Sequence, residues 1–119
     1  MMNYHFVWCP KYRRRILVDK VKERVEKLIQ DKIKELDGEV LRLKVMPDHI
    51  HLFVASNPKV APNRLIGAVK GCTSRLVRKE FPHIRRSLPT LWTRSYFVST
   101  AGNVSSHVIE KYIEEQTGR

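Results

Sequence analysis

A chain of 119 residues can bury the core of one domain but not of two. Its hydrophobic content of 42% is that of a globular protein, while 23 Lys and Arg against 12 Asp and Glu leave a net charge of +11. No apolar run approaches the ~20 residues of a membrane span, and the isolated Cys9 and Cys72 exclude a Cys-x-x-Cys zinc knuckle or a disulfide framework.

The opening Met1-Met2-Asn3-Tyr4-His5 does not read as a signal peptide, so the expectation is a soluble, cytoplasmic protein without a membrane partner. The positive charge is uneven. Between Lys59 and Arg94 stand nine basic residues and a single acid, Glu80. That bias points to a polyanionic partner, most simply nucleic acid, with an acidic membrane surface or plain solubility as the bland alternatives.

Tyr4 to Cys9 is aromatic and β-branched and stops at Pro10, which predicts a first strand. Lys11-Tyr12-Arg13-Arg14-Arg15 follows at once. A basic cluster with an interleaved aromatic can contact phosphates and stack on a base, or can stand as a solvated turn. From about Val18 to Leu36 the residues Val21, Val25, Leu28, Ile29, Ile33 and Leu36 recur at helical spacing, with Lys and Glu opposite. Asp37-Gly38 ends this helix, and Gly38 suits a left-handed cap. Glu39 to Met46 alternates as a second strand with Leu41, Leu43 and Val45 on one face, and Pro47-Asp48 turns tightly into a third.

The third stretch is His49-Ile50-His51-Leu52-Phe53-Val54. Side chains alternate along a strand, so His49, His51 and Phe53 share one face and Ile50, Leu52 and Val54 the other. One intervening residue leaves the two histidine Cα atoms roughly 7 Å apart, near enough for both rings to meet one cation. The same spacing suits two polar residues on a wet face, and a metal needs a further ligand from elsewhere in the chain. Asp48, of opposite parity, reads as a turn former rather than a ligand.

Asn57 to Asn63 is a loop, with Asn63 placed to cap a helix that runs to about Phe81. Leu65, Ile66, Val69, Cys72, Leu76 and Val77 form its buried stripe; Lys70, Arg75, Arg78 and Lys79 lie off it. Phe81-Pro82-His83 breaks the helix, and the basic stretch from His83 to Arg86 reads as a loop. Leu91 to Thr100 reads as a fourth strand and Ala101-Gly102-Asn103 as its turn. A last helix begins at Val104 or Ser105 and ends near Gln116.

The order β-α-β-β-α-β-α predicts an α+β fold, a ferredoxin-like or RRM-like antiparallel sheet with both central helices on one face. The His pair then lies on the other face. Residues 1–102 form the sheet-and-helix core of a single domain, and residues 103–119 its C-terminal helix. On that helix Tyr112 and Gln116 are four apart and share a face. A phenol beside a metal can attack a phosphate, though a tyrosine on an amphipathic helix is more often packing. His107 reads as surface.

Tyr4-His5-Phe6-Val7-Trp8-Cys9-Pro10-Lys11-Tyr12-Arg13-Arg14, Asp48-His49-Ile50-His51-Leu52, Leu88-Pro89-Thr90-Leu91-Trp92-Thr93, Phe97-Val98-Ser99-Thr100 and Lys111-Tyr112-Ile113-Glu114-Glu115-Gln116 occur in this order. Together they resemble the single-tyrosine HUH transposases of the insertion-sequence 200/605 superfamily, over nearly the whole chain. The resemblance implies a prokaryotic, DNA-associated enzyme in which His49, His51 and Gln116 bind a divalent cation, Mg2+ or Mn2+. Tyr112 would attack a phosphodiester of single-stranded DNA, giving a 5′-phosphotyrosine link and a free 3′-hydroxyl, and strand transfer would reverse the step. It implies a homodimer that recognises subterminal DNA hairpins, in which the tyrosine helix of one subunit can complete the site of the other. Lys11, Arg13, Arg14, Lys70, Arg75 and Arg78 are then expected near the hairpin backbone. Two other readings keep some of these features: a domesticated HUH endonuclease acting on repeat hairpins, and a non-catalytic nucleic-acid-binding module. The second leaves the pairing of His49 and His51 with Tyr112 and Gln116 unexplained.

Overall fold

Alternating apolar residues build the sheet of the computed structural model, which describes residues 1–100 and 106–119. In chain order come β1 (Met2–Trp8), a short 3-10 turn (Lys11–Arg13), α1 (Asp19–Glu35), β2 (Glu39–Met46) and β3 (His49–Ser56). They are followed by α2 (Pro62–Glu80), α3 (Pro82–Ser87), β4 (Phe97–Ser99) and α4 (Ser106–Glu115). The strands pair antiparallel in the order β2-β3-β1-β4, the topology of the ferredoxin-like fold. No described helix is long and apolar enough to cross a membrane.

Parity decides the two faces of the sheet. Phe6 and Trp8 of β1 and Ile50, Leu52 and Val54 of β3 are fully buried against Val25, Ile29 and Ile33 of α1 and Leu65, Val69 and Val77 of α2. Burying each such side chain contributes ~1.5–3 kcal/mol. A one-residue slip of β3 would turn this set outward and the histidines inward, so the core fixes the register that presents His49 and His51. On the histidine face, α4 packs Ile109, Tyr112 and Ile113 over Val7, Cys9 and Phe97.

Several local expectations are corrected. In β2 a bulge between Val40 and Arg42 turns Leu41 out, 51% exposed, and puts Val40 rather than Leu41 with Leu43 and Val45 on the core side. The same pairing sets Arg42 opposite Phe53 and Lys44 opposite His51. At the end of α1 the left-handed residue is Asp37 (φ 58°), not Gly38. Asp37 N–H bonds Lys34 and Gly38 N–H bonds Ile33, a Schellman closure. Gly38 is needed for space instead: a Cβ there would sit 3.1 Å from the Ala55 carbonyl oxygen and from Ile33.

Pro62 opens α2 as its first helical residue, with Ala61 before it, so Asn63 lies inside the helix and not at its cap. The buried stripe of α2 includes Thr73, while Cys72 and Leu76 are only partly buried. Thr73 tolerates burial because its hydroxyl donates to the Val69 carbonyl and accepts from Trp92 Nε1. The basic stretch after Phe81 is helical, as α3. The fourth strand is confined to Phe97–Ser99; before it, Trp92 forms only a bridge with Pro10. The expected turn at Ala101-Gly102-Asn103 and the start of the last helix lie outside the described residues.

Candidate active site

Each histidine of the pair has one ring nitrogen already engaged. His49 Nδ1 donates to Asp48 Oδ1 at 2.8 Å, and the other carboxylate oxygen accepts from Arg13 Nε, also at 2.8 Å. Burial pushes the Asp48 carboxyl up, but the hydrogen bonds from His49 and Arg13 outweigh it and hold the group below its ordinary value. Asp48 is therefore the anchor of His49 as well as part of the turn. His51 Nδ1 lies 3.2 Å from Nε2 of His5, a residue that the sequence reading passed over. Its signal was parity: His5 belongs to the odd-numbered face of β1 and pairs with Phe53, one step from His51.

The two rings of the pair sit 5.1 Å apart, nearly perpendicular. With both Nδ1 atoms engaged, Nε2 is the remaining nitrogen of each. Burial, reinforced by the charges of His49, His5, Lys44 and Arg42, pushes His51 down to about 4. It is a neutral imidazole at ordinary pH.

Tyr112 and Gln116 face a different partner. Ser95 Oγ donates to Gln116 Oε1 at 2.9 Å and lies 3.0 Å from the Tyr112 hydroxyl, while Gln116 Nε2 donates to the Tyr112 carbonyl. Ser95 has one proton to give, so the tyrosine hydroxyl is the donor to it. Gln116 is 1% exposed. Burial raises the Tyr112 phenol above its ordinary value, with the Ser95 hydrogen bond opposing the shift only in part.

Ser95 is itself held by Lys70, whose ammonium donates to the carbonyls of Thr93, Arg94 and Ser95 at 2.7, 3.4 and 3.0 Å. Successive carbonyls of a strand point to opposite sides. Gathering three on one cation bends this segment out of the sheet, which is why β4 is short. Burial lowers Lys70 to about 8.

Between sheet and α4 lies an open cleft of about 420 Å³, lined by Arg13, His49 and His51 on one side and Ile109, Ile113 and Glu114 on the other. Neither Tyr112 nor Gln116 lines it. Arg13 also reaches Thr117 Oγ1, 3.3 Å away, which ties the end of α4 to the Asp48 anchor.

Residues 1–116 match the family described as Transposase IS200 like. The chain belongs to this IS200-like transposase family. The ISDra2 transposase TnpA of Deinococcus radiodurans is 33% identical over 117 residues, covering 97% of this chain and 84% of that protein. The transposase for insertion sequence element IS200 of Salmonella typhimurium is 27% identical over 116 residues, covering 96% and 76%. A candidate transposase from D. radiodurans R1, solved as a crystal structure, superposes with a TM-score of 0.90 at 32% identity, over 99% of this chain and 92% of that one. A REP-associated tyrosine transposase bound to a REP hairpin shares the fold, with a TM-score of 0.60 at 14% identity over 92% and 61%. Membership supports transposase function and, with it, a DNA-processing role.

For an IS200-like transposase the fit of a metal can be judged from the donors. Two imidazoles with tethered Nδ1 atoms present their Nε2 atoms in fixed directions, as ligating histidines require. Among the described residues no group of three or more His, Cys, Asp and Glu side chains is arranged to hold an ion. A side-chain amide is a donor outside that set. The amide of Gln116 is such a donor, yet within one chain it is turned to Ser95.

The six basic residues expected to bind DNA divide in two. Arg13, Lys70 and Arg78 have their charge committed inside the chain, to Asp48, to the 93–95 carbonyls and to the Leu88 carbonyl. Lys11 and Arg14 flank the Tyr12 ring at 5.1 and 5.9 Å, and Arg75 is exposed on α2. Tyr12 and Arg13 are successive left-handed residues, at φ 59° and 53°. That strain turns the tyrosine outward, 39% exposed, and the arginine toward Asp48. Lys11, Tyr12 and Lys70 share one groove.

Proposed function

We propose that the chain cleaves and rejoins single-stranded DNA at insertion-sequence ends, with Tyr112 as nucleophile. The observation that carries this reading is the anchored pair His49 and His51, each with Nε2 remaining, in a chain of the IS200-like family whose α4 brings a tyrosine to the same face of the sheet. The phenol oxygen of Tyr112 attacks the phosphorus and loses its proton; the bond to the 3′ oxygen breaks, and that oxygen takes up a proton. The product is a 5′-phosphotyrosine and a free 3′-hydroxyl. Attack by another 3′-hydroxyl reverses the exchange, so the phosphodiester energy is conserved without ATP.

His49, His51 and Gln116 would hold a divalent cation, Mg2+ or Mn2+, which when bound polarises the scissile phosphate. His51, neutral down to about pH 4, keeps its lone pair across the physiological range. Because Tyr112 and Gln116 bond Ser95 and do not line the histidine cleft of their own chain, we assign them to the cleft of a second copy in a homodimer. Release from Ser95 precedes chemistry in either placement. Lys11, Tyr12 and Arg14 serve a subterminal hairpin, by phosphate contact and stacking.

Incubation with labelled single-stranded DNA carrying an element end, with Mn2+ or with EDTA, tests the reading on denaturing gels. A covalent protein–DNA band that needs the metal and vanishes in Tyr112→Phe is expected. DNA binding without an adduct under any metal would favour a non-catalytic binding module.

A further inference from the structure

His5 has no part in the chemistry proposed above, yet it is among the most constrained polar residues of the molecule. It is 9% exposed, its ring stacks on Phe53 at 4.0 Å between centroids, and Phe97 meets it edge-on at 6.4 Å. Its Nε2 is 3.2 Å from His51 Nδ1, with the two rings stacked 24° from parallel. The strand register enforces this: Val7 pairs with His51 and His5 with Phe53, so His5 is the diagonal neighbour of His51 on the same face.

A contact between two neutral imidazole nitrogens holds one proton, and which ring carries it decides what His51 can do. If His5 donates from Nε2, His51 accepts at Nδ1, its own proton sits on Nε2, and that nitrogen has no lone pair. If His51 donates from Nδ1, His5 accepts, and the lone pair of His51 faces outward on Nε2. His49 has no such choice, because its Nδ1 meets a carboxylate and must donate.

We infer that His5 is a positioning residue for the metal site: the acceptor that holds His51 in the Nδ1–H tautomer, doing through an imidazole what Asp48 does for His49 through a carboxylate. The inference rests on the proposed metal role of the pair. Outer-sphere acceptors of this kind typically alter metal affinity by about 10- to 100-fold.

The test uses the full chain and Mn2+ alone as probe. Imidazole nitrogen shifts of the metal-free protein, read by long-range heteronuclear NMR on labelled histidine, report the His51 tautomer, and Mn2+ titration followed by electron paramagnetic resonance reports affinity. The wild-type protein is expected to show His51 protonated on Nδ1. His5→Phe, which keeps the stack on Phe53 and removes the acceptor, should shift the proton to Nε2 and weaken Mn2+ binding by about 10- to 100-fold. His5→Gln, whose amide oxygen accepts at a similar reach, should restore both. A wild-type His51 protonated on Nε2, or a His5→Phe protein with unchanged tautomer and affinity, overturns the inference. Mn2+ binding that His49→Ala leaves untouched would instead defeat the metal reading, and the tautomer result would still decide the hydrogen-bonding role of His5.

Discussion

At the scale of single residues, His51 links the site to folding. Burial and the nearby His49, His5, Lys44 and Arg42 lower it from 6.5 to about 4, and burial lowers His5 in the same direction. Glu114 lines the cleft from α4 but is not among the causes of the shift. A histidine whose folded value lies below its unfolded one is protonated first in the unfolded chain. The contribution of His51 to stability is therefore present in full above pH 6.5 and is lost as pH falls toward 4. In EDTA the urea midpoint should drop across this window, and His51→Gln should flatten the drop; a midpoint equally steep in both proteins would contradict the assignment. His49 and His51 were legible from alternation alone. Their anchors were not, because Asp48 has the wrong parity for the histidine face and His5 lies 46 residues away in sequence.

At the scale of elements, Ser95 is the contact that parks the tyrosine helix. Ser95→Ala removes the partner of both Tyr112 and Gln116, so amide exchange in α4 should accelerate several-fold while exchange in β1 and β3 stays unchanged. An unchanged α4 would mean that the apolar contacts of Ile109, Tyr112 and Ile113 and the Arg13–Thr117 bond dock the helix without Ser95. The helices themselves were readable from apolar spacing, since all five core positions of α1 are the expected ones. The short β4 was not: an ammonium from α2 reaching three carbonyls leaves no pattern in the segment it bends. The α1–β2 turn shows the same limit. Gly38 looks like the left-handed residue, whereas Asp37 occupies that conformation. Gly38→Ala should then destabilise by about 1–3 kcal/mol through its clash with the Ala55 carbonyl. Asp37→Gly should stabilise by up to about 1 kcal/mol. Equal effects of the two on the denaturation midpoint would refute this account of the turn.

At the scale of the whole molecule, the sheet has one face committed to α1 and α2 and one face that carries the histidines, with Arg42 and Lys44 beside them. The fold class followed from the order of elements and the polarity of β3. What no sequence pattern carries is the distance between Tyr112 and the histidine cleft, because that depends on how α4 crosses the sheet. The helix shares its face with the cleft but points its tyrosine at Ser95. The proposed homodimer turns this separation into a division of labour, with histidines from one copy and tyrosine from the other.

Mixing two inactive variants tests that division most directly. His49→Ala and Tyr112→Phe are each expected to form no covalent adduct with single-stranded DNA in Mn2+. Combined and allowed to exchange subunits, they should regain it, with the adduct on the His49→Ala chain, because one composite site then holds an intact histidine pair and an intact tyrosine. A mixture that stays inactive while the wild-type protein forms the adduct would contradict the account and return Tyr112 to the cleft of its own chain.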